Sequence, residues 1–185
     1  ALFATVTNVN FDQESLLEMV LECGRMNLKT MQMLNDGHVE ELGQPGPVEI
    51  TEGIVDRNPA ILVTGHDMID LKNLLEQSAG QGVDVYTHGE MIPAHMYPEL
   101  RKHPHLKGHF GGAWQKQRGE FEAFGGVILA TTNCVLIPWE KNTYLDKFFT
   151  TRATAVPGAV RIKDNDFSQV IQRAKEVGAV KPTET

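Results

Sequence analysis

Three short apolar runs, each ending in a glycine or polar turn, most constrain what this chain can fold into. They lie at 61–64 (ILVT), 83–87 (VDVYT) and 127–132 (VILATT), and segments with helical spacing of apolar residues separate them. Short apolar, β-branched runs that alternate with helices are typical of a parallel sheet. The sequence therefore predicts an α/β fold, a helix packed on a three-layer α/β/α sandwich with a mostly parallel sheet.

Composition divides the chain into three parts. Asp12 is a candidate N-cap for a helix that runs to about residue 34, with Asp36 and Gly37 as its stop, so residues 1–36 form an N-terminal helix. Frequent glycine and proline at 37–58 predict a loop, and residues 59–180 form the α/β sandwich. Cys23 lies on or beside the apolar stripe of the first helix and is predicted to be a small buried side chain.

The sandwich continues with further predicted elements. Residues 106–110 are a candidate strand, and a helix over 113–124 is expected to place Trp114, Phe121 and Phe124 in the core. Strands are predicted at 148–151 and 160–162, and Asp166 is a candidate cap for a last helix that ends at Gly178.

Charge and cysteine content exclude several function classes. The chain has 185 residues and a formal net charge of -7, which argues against nucleic-acid binding. Two cysteines give no disulfide framework, which favours a reducing cytoplasm. No apolar run is long enough to span a membrane, and no signal-peptide pattern is present. Because the chain opens with Ala1 in a segment typical of a protein interior, we expect it to be a piece of a larger enzyme.

Three potential metal ligands follow the predicted strands: His66, Glu90 and Cys134. Taken singly, each has a structural explanation, as a turn histidine, a helix-dipole carboxylate and a small buried side chain. Parallel strands end at one sheet edge, so the three side chains are expected to meet there. Imidazole, carboxylate and thiolate together suit zinc or iron better than calcium or magnesium.

Motifs for other chemistries are absent from the sequence. Neither the dinucleotide fingerprint G-x-G-x-x-G nor the phosphate loop G-x-x-x-x-G-K-[ST] occurs, so a nucleotide site has little support. The nucleophile elbow G-x-S-x-G is absent as well, which argues against a hydrolase of that type.

Several segments in order resemble one known family. ILVTGHD (61–67), VDVYTHGEMIPAH (83–95), GHFGGAWQ (108–115) and TTNC (131–134) are similar to the hybrid cluster protein family, also called prismane protein or hydroxylamine reductase. The resemblance implies the middle, Rossmann-like domain of that enzyme. It also implies that His66, Glu90 and Cys134 are ligands of a hybrid 4Fe-2O-2S iron–sulfur–oxygen cluster, whereas Cys23 matches no family ligand. Asn133, beside the cysteine, is a candidate hydrogen-bond donor near the substrate, although its side chain could instead bond to the backbone.

The activity implied by the resemblance is two-electron reduction of hydroxylamine to ammonia and water, with nitric oxide as a related substrate and an electron-transfer partner as donor. In the family, three further cysteines and a second glutamate come from a following domain. We therefore expect this chain alone to hold no intact cluster and to be inactive. Two alternatives stay open: a free-standing module for one zinc or iron ion, and a catalytically silent structural domain.

Overall fold

The computed structural model describes residues 9–132, 134–152 and 154–183. The chain divides into two compact units after Gln44, and each is described by itself. No helix in the described part of the chain is long and apolar enough to cross a membrane.

The described part of the first unit contains one long helix, α1 (Gln13–Leu42). It begins as predicted, because the Asp12 carboxylate accepts a hydrogen bond from the Glu14 N–H at 3.2 Å. The predicted stop at Asp36 and Gly37 is wrong. A glycine inside a helix costs only about 1 kcal/mol relative to alanine, and helix-forming residues follow it here. The helix ends where Gly43 adopts a φ of 82°, which favours glycine.

The prediction that Cys23 is buried is also wrong, since its side chain is exposed. Helical spacing identifies an apolar stripe on a helix, but it does not show whether another element packs against that stripe. In the structure Leu17, Leu21 and Leu28 of the same helix are likewise more than half exposed. The loop predicted from residue 37 begins later, because residues 43–58 contain neither a helix nor a strand apart from an isolated bridge at Glu52.

The second unit is built on a six-stranded sheet whose strands are ordered β3-β2-β1-β4-β5-β6. All pairings between these strands are parallel, which confirms the predicted α/β fold. The two central strands are buried along their whole length, as expected for a sheet with helices on both faces. The strands are β1 (Ala60–Thr64), β2 (Asp84–Thr87), β3 (Leu106–His109), β4 (Val127–Ala130), β5 (Phe148–Thr150) and β6 (Val160–Arg161).

The helices of this unit lie between successive strands, except the last one, which follows β6. They are α2 (Met68–Ser78), α3 (Pro98–Arg101), α4 (Gln117–Phe124) and α5 (Ser168–Val177), with 3₁₀ helices at Gly89–Met96, Trp114–Lys116 and Leu145–Lys147. Phe121 and Phe124 are buried as predicted. Trp114 is not a core residue, because it lies in the 3₁₀ turn before α4 rather than in a longer helix, and its side chain is 44% exposed.

Candidate metal centre

The strand order reverses between β1 and β4, and this is where an open parallel sheet leaves a crevice beyond its carboxyl ends. His66 follows β1, Glu90 follows β2 and Cys134 follows β4. The structure brings these three predicted residues together, since one ligand atom from each lies within 4.8 Å of the other two. A nitrogen, an oxygen and a sulfur donor thus converge at the reversal of strand order.

His66 is delivered by a turn that only glycine can make. Gly65 has a φ of 105°, and a Cβ atom there would lie 2.5 Å from the Thr131 hydroxyl and 2.7 Å from the Thr132 backbone nitrogen. The tight approach lets the His66 N–H donate to Thr132 Oγ1 at 2.7 Å. The same hydroxyl lies 2.9 Å from Nδ1 of the imidazole. Thr132 therefore fixes the ring and leaves Nε2 facing the centre.

Glu90 stands in the first turn of the 3₁₀ helix that follows β2. Its Oε2 is in hydrogen-bond contact with Nε2 of His66, and both side chains are substantially exposed. A buried histidine anchors this 3₁₀ helix to the sheet, because the Thr87 hydroxyl of β2 lies 2.8 Å from Nε2 of His95. The same hydroxyl lies 2.9 Å from Nδ1 of His109 in β3. Burial lowers the pKa of His95 to about 4, so this ring is neutral at pH 7.

Cys134 is accessible to solvent and has an unusual backbone conformation. Its φ is 62°, in the left-handed region that a residue with a Cβ rarely adopts. Such conformations persist when the surrounding structure holds them, and they concentrate at functional sites. The predicted hydrogen-bond donor Asn133, the preceding residue, lies outside the described residues.

A cavity of about 660 Å³ adjoins two of the three candidate ligands. It is lined by His66, Thr131, Thr132, Cys134, Val135, Arg152, Thr154 and Ala155. The hydroxyl of Thr154 is buried and has no hydrogen-bond partner among the described residues. This oxygen has almost no accessible surface, so it does not face the open cavity.

Arg152 supplies positive charge at the wall of the cavity. Its guanidinium lies 2.8 Å from Asp67 Oδ2 and 3.0 Å from Asp70 Oδ1. Asp70 is fully buried, and burial raises the pKa of its carboxyl, although hydrogen bonds from Thr151 and Arg152 oppose the rise. Asp67 also caps α2, so this network ties the segment after His66 to the end of β5.

Sequence reasoning missed Thr132 and Arg152 at this site. Both make their contacts across large separations along the chain, 66 residues for Thr132 with His66 and 82 for Arg152 with Asp70. The run of hydroxyl residues at the end of the third apolar run was the only signal for Thr132. No local pattern identified Arg152.

A second buried group lies beside the site. His88 is fully buried, with Nδ1 3.1 Å from the Thr64 hydroxyl and Nε2 2.9 Å from Glu120 Oε2. Burial lowers the pKa of His88, while the Glu120 carboxylate opposes this effect. Glu120 also accepts the Gly112 N–H at 3.1 Å. The group joins the ends of β1 and β2 to α4, and so holds in place two of the turns that carry candidate ligands.

Comparison with known proteins gives one consistent result. A model of the Prismane/CO dehydrogenase family matches residues 1–185. Proteins named hydroxylamine reductase from Moorella thermoacetica and Thermotoga maritima are 52% and 49% identical over 177 residues. A protein of the same name from Methanothermobacter thermautotrophicus is 43% identical over 175 residues. Each alignment covers 95% or 96% of this chain but only 40% or 41% of the relative.

Proposed function

The chain belongs to the prismane/CO dehydrogenase family, and from that membership we propose that it is the domain of a hydroxylamine reductase that contributes three ligands to an iron–sulfur–oxygen cluster. The proposed ligands are His66, Glu90 and Cys134. The observation that carries the proposal is the convergence of their donor atoms at the reversal of strand order. The relatives that bear the name hydroxylamine reductase support the reaction class.

The donor set fits a hybrid 4Fe-2O-2S cluster. Thiolate favours sulfur-bridged iron, whereas imidazole and carboxylate suit iron in a more oxygen-rich environment. The adjoining cavity of about 660 Å³ is much larger than a single ion requires. These observations favour a cluster over one ion.

When bound, the cluster would supply the two electrons that, with two protons, convert hydroxylamine to ammonia and water. The residues of this chain act around it. Thr132 holds the imidazole of His66 so that Nε2 faces the centre, and Asp67 with Arg152 fixes the segment that follows this histidine. The exposed side chains of His66 and Glu90 leave that face of the site open to a small substrate. The electrons would come from a separate electron-transfer partner, and nitric oxide is a related candidate substrate.

The three ligands leave most of a four-iron cluster unbound. Four irons held mainly by thiolates need further cysteines, and Cys134 is the only cysteine in the sequence of the second unit. The chain spans about two fifths of the length of the relatives named above. We therefore propose that the remaining ligands lie in other parts of the parent protein and that this chain alone neither holds an intact cluster nor turns over.

Substitution of Glu90 in the parent protein tests the proposal. We expect Glu90→Ala to lose cluster absorbance and a large part of the bound iron, because the oxygen ligand is removed. Glu76→Ala is the matched control, since Glu76 is an exposed helical glutamate whose ion pair with Lys72 spans 4.0 Å. Iron is counted after anaerobic purification. Equal iron content in the Glu90→Ala, Glu76→Ala and wild-type proteins would refute the assignment.

One alternative has an observation in its favour. Three donors within 4.8 Å of one another also match the three-ligand geometry of a single zinc or iron ion with one open position. This mononuclear reading predicts that the 185-residue chain binds one equivalent of metal tightly and that Cys134→Ala abolishes the binding. The cluster proposal predicts instead that iron is retained only in the parent protein.

A further inference from the structure

Gln117 connects the first turn of α4 to the segment that carries the cysteine. Its side chain is 1% exposed, and both of its polar atoms bond to that segment's backbone. The amide Nε2 donates to the carbonyl of Cys134, and Oε1 accepts the N–H of Leu136 at 3.0 Å. One buried side chain thus binds the backbone at and beyond the candidate sulfur ligand.

The segment between β4 and the next 3₁₀ helix depends on such contacts. Residues 134–139 contain neither helix nor strand, so no ladder of backbone hydrogen bonds fixes their path. Cys134 also stands in the left-handed region, at a φ of 62°. Without an external hold, a residue with a Cβ would relax toward a more favourable backbone conformation, and its sulfur would move with it.

We propose that Gln117 is the positioning residue of Cys134. By clamping the cysteine carbonyl and the Leu136 N–H, it holds the backbone in the conformation that directs Sγ toward His66 and Glu90. Both of its hydrogen bonds are to backbone atoms, so Gln117 acts through the backbone and not as a ligand. This inference rests on the proposed function, because it concerns the geometry of the same cluster site.

The two hydrogen bonds of Gln117 are expected to hold the segment more firmly than the contacts of Arg118, because Gln117 is buried. Arg118 also reaches the segment, since its Nε donates to the Ile137 carbonyl at 3.0 Å and its guanidinium lies 5.3 Å from the centre of the Trp139 ring. Trp139 and Ile137 are more than half exposed, so water competes there. Gln117 itself is 1% exposed, and an apolar substitute would leave the Cys134 carbonyl and the Leu136 N–H without their partner.

The test uses the parent protein, purified and reconstituted with iron and sulfide without oxygen. Gln117→Met keeps the length and volume of the side chain but removes both hydrogen bonds. Gln117→Glu keeps the acceptor for Leu136 but, when ionised, has no donor for the Cys134 carbonyl. Gln115→Met is the matched control, because Gln115 lies two residues earlier and is exposed. Circular dichroism checks that each variant is folded.

We expect both substitutions at Gln117 to shift the electron paramagnetic resonance signal and midpoint potential of the cluster. We also expect iron to be lost to a chelator about 10-fold to 100-fold faster, as is typical when a group that orients a metal ligand is removed. Gln115→Met should match the wild type in all three measurements. If Gln117→Met fails to fold, Gln117→Glu decides the outcome.

Two failures are distinguishable. A wild-type signal, potential and iron retention in a folded Gln117 variant would overturn the role of Gln117 and leave the cluster proposal intact. A parent protein that assembles no cluster, or whose cluster is unchanged by Cys134→Ala, would overturn the proposed function itself.

Discussion

Replacement of Gly65 by alanine is expected to be among the most destabilising single-methyl changes in this chain. The residue has a φ of 105°, and a Cβ atom would lie 2.7 Å from the backbone nitrogen of Thr132. A backbone atom cannot move aside as the end of a flexible side chain can. The substitution therefore forces β1 and β4 apart where the segments carrying His66 and Cys134 leave the sheet.

The cost has two parts. A residue with a Cβ in the left-handed region costs about 1–2 kcal/mol. Forcing an extra methyl group into a filled space costs about 1–3 kcal/mol. Together they give about 3 kcal/mol, a large fraction of the stability of a typical domain. With a urea dependence of about 2 kcal/mol per molar, the midpoint of unfolding should fall by about 1.5 M.

The assay is urea unfolding of the 185-residue chain followed by tryptophan fluorescence. The chain has two tryptophans, Trp114 and Trp139, and both belong to the second unit, so the signal reports on the unit that contains Gly65. Gly119→Ala is the matched control. Gly119 lies inside α4 with nothing within 4 Å of an added Cβ, so alanine should stabilise the unit by about 0.5–1 kcal/mol. A midpoint for Gly65→Ala equal to or above that of the wild type would refute the steric reasoning.

Two further predictions concern the surroundings of the candidate ligands. Thr132→Val should weaken metal retention by the parent protein about 10-fold to 100-fold, because the hydroxyl that bonds the His66 ring is lost. Competition with a chelator measures this retention, and a value equal to that of the wild type would exclude a role of Thr132 in orienting His66. The pKa of His95 is lowered from 6.5 to about 4, so the folded state binds fewer protons than the unfolded state between these values. The stability contributed by the neutral ring is therefore present above pH 6.5 and is lost as the pH falls toward 4, by about 3 kcal/mol in total. Urea unfolding of a His95→Gln variant should show a weaker dependence on pH over this range, and an unchanged dependence would contradict the assignment.

The sequence predicted the parts of the fold that follow from local pattern. The apolar runs at 61–64 and 127–132 are continuous because both faces of a central parallel strand are buried. A short, uninterrupted apolar run therefore identifies such a strand. The placement of His66 beyond the first of these strands followed from the same logic. Capping chemistry likewise identified Asp12, whose side chain needs only the next turn of the chain as its partner.

The errors and omissions share a different cause. Packing between distant surfaces decides where α1 ends and whether Cys23 and Trp114 are exposed. Local spacing of residues does not contain that information. Gln117 was missed for the same reason, because its two partners lie 17 and 19 residues further along the chain. A glutamine at the start of a helix has no local feature that distinguishes it from a surface residue.

The three candidate ligands are held more firmly than their exposure suggests. The side chains of His66 and Glu90 are 40% and 63% exposed, yet the backbone beneath each is held by hydrogen bonds. The His66 N–H donates to Thr132, and the buried hydroxyl of Thr87 bonds to His95 in the 3₁₀ helix that carries Glu90. A rigid backbone with exposed donors is what a shared site requires, because donors supplied by another segment must meet them without rearrangement. A flexible site would lose conformational entropy each time the cluster was assembled. We therefore expect the backbone amides of the Gly65 turn to exchange slowly with solvent in the 185-residue chain, even without metal.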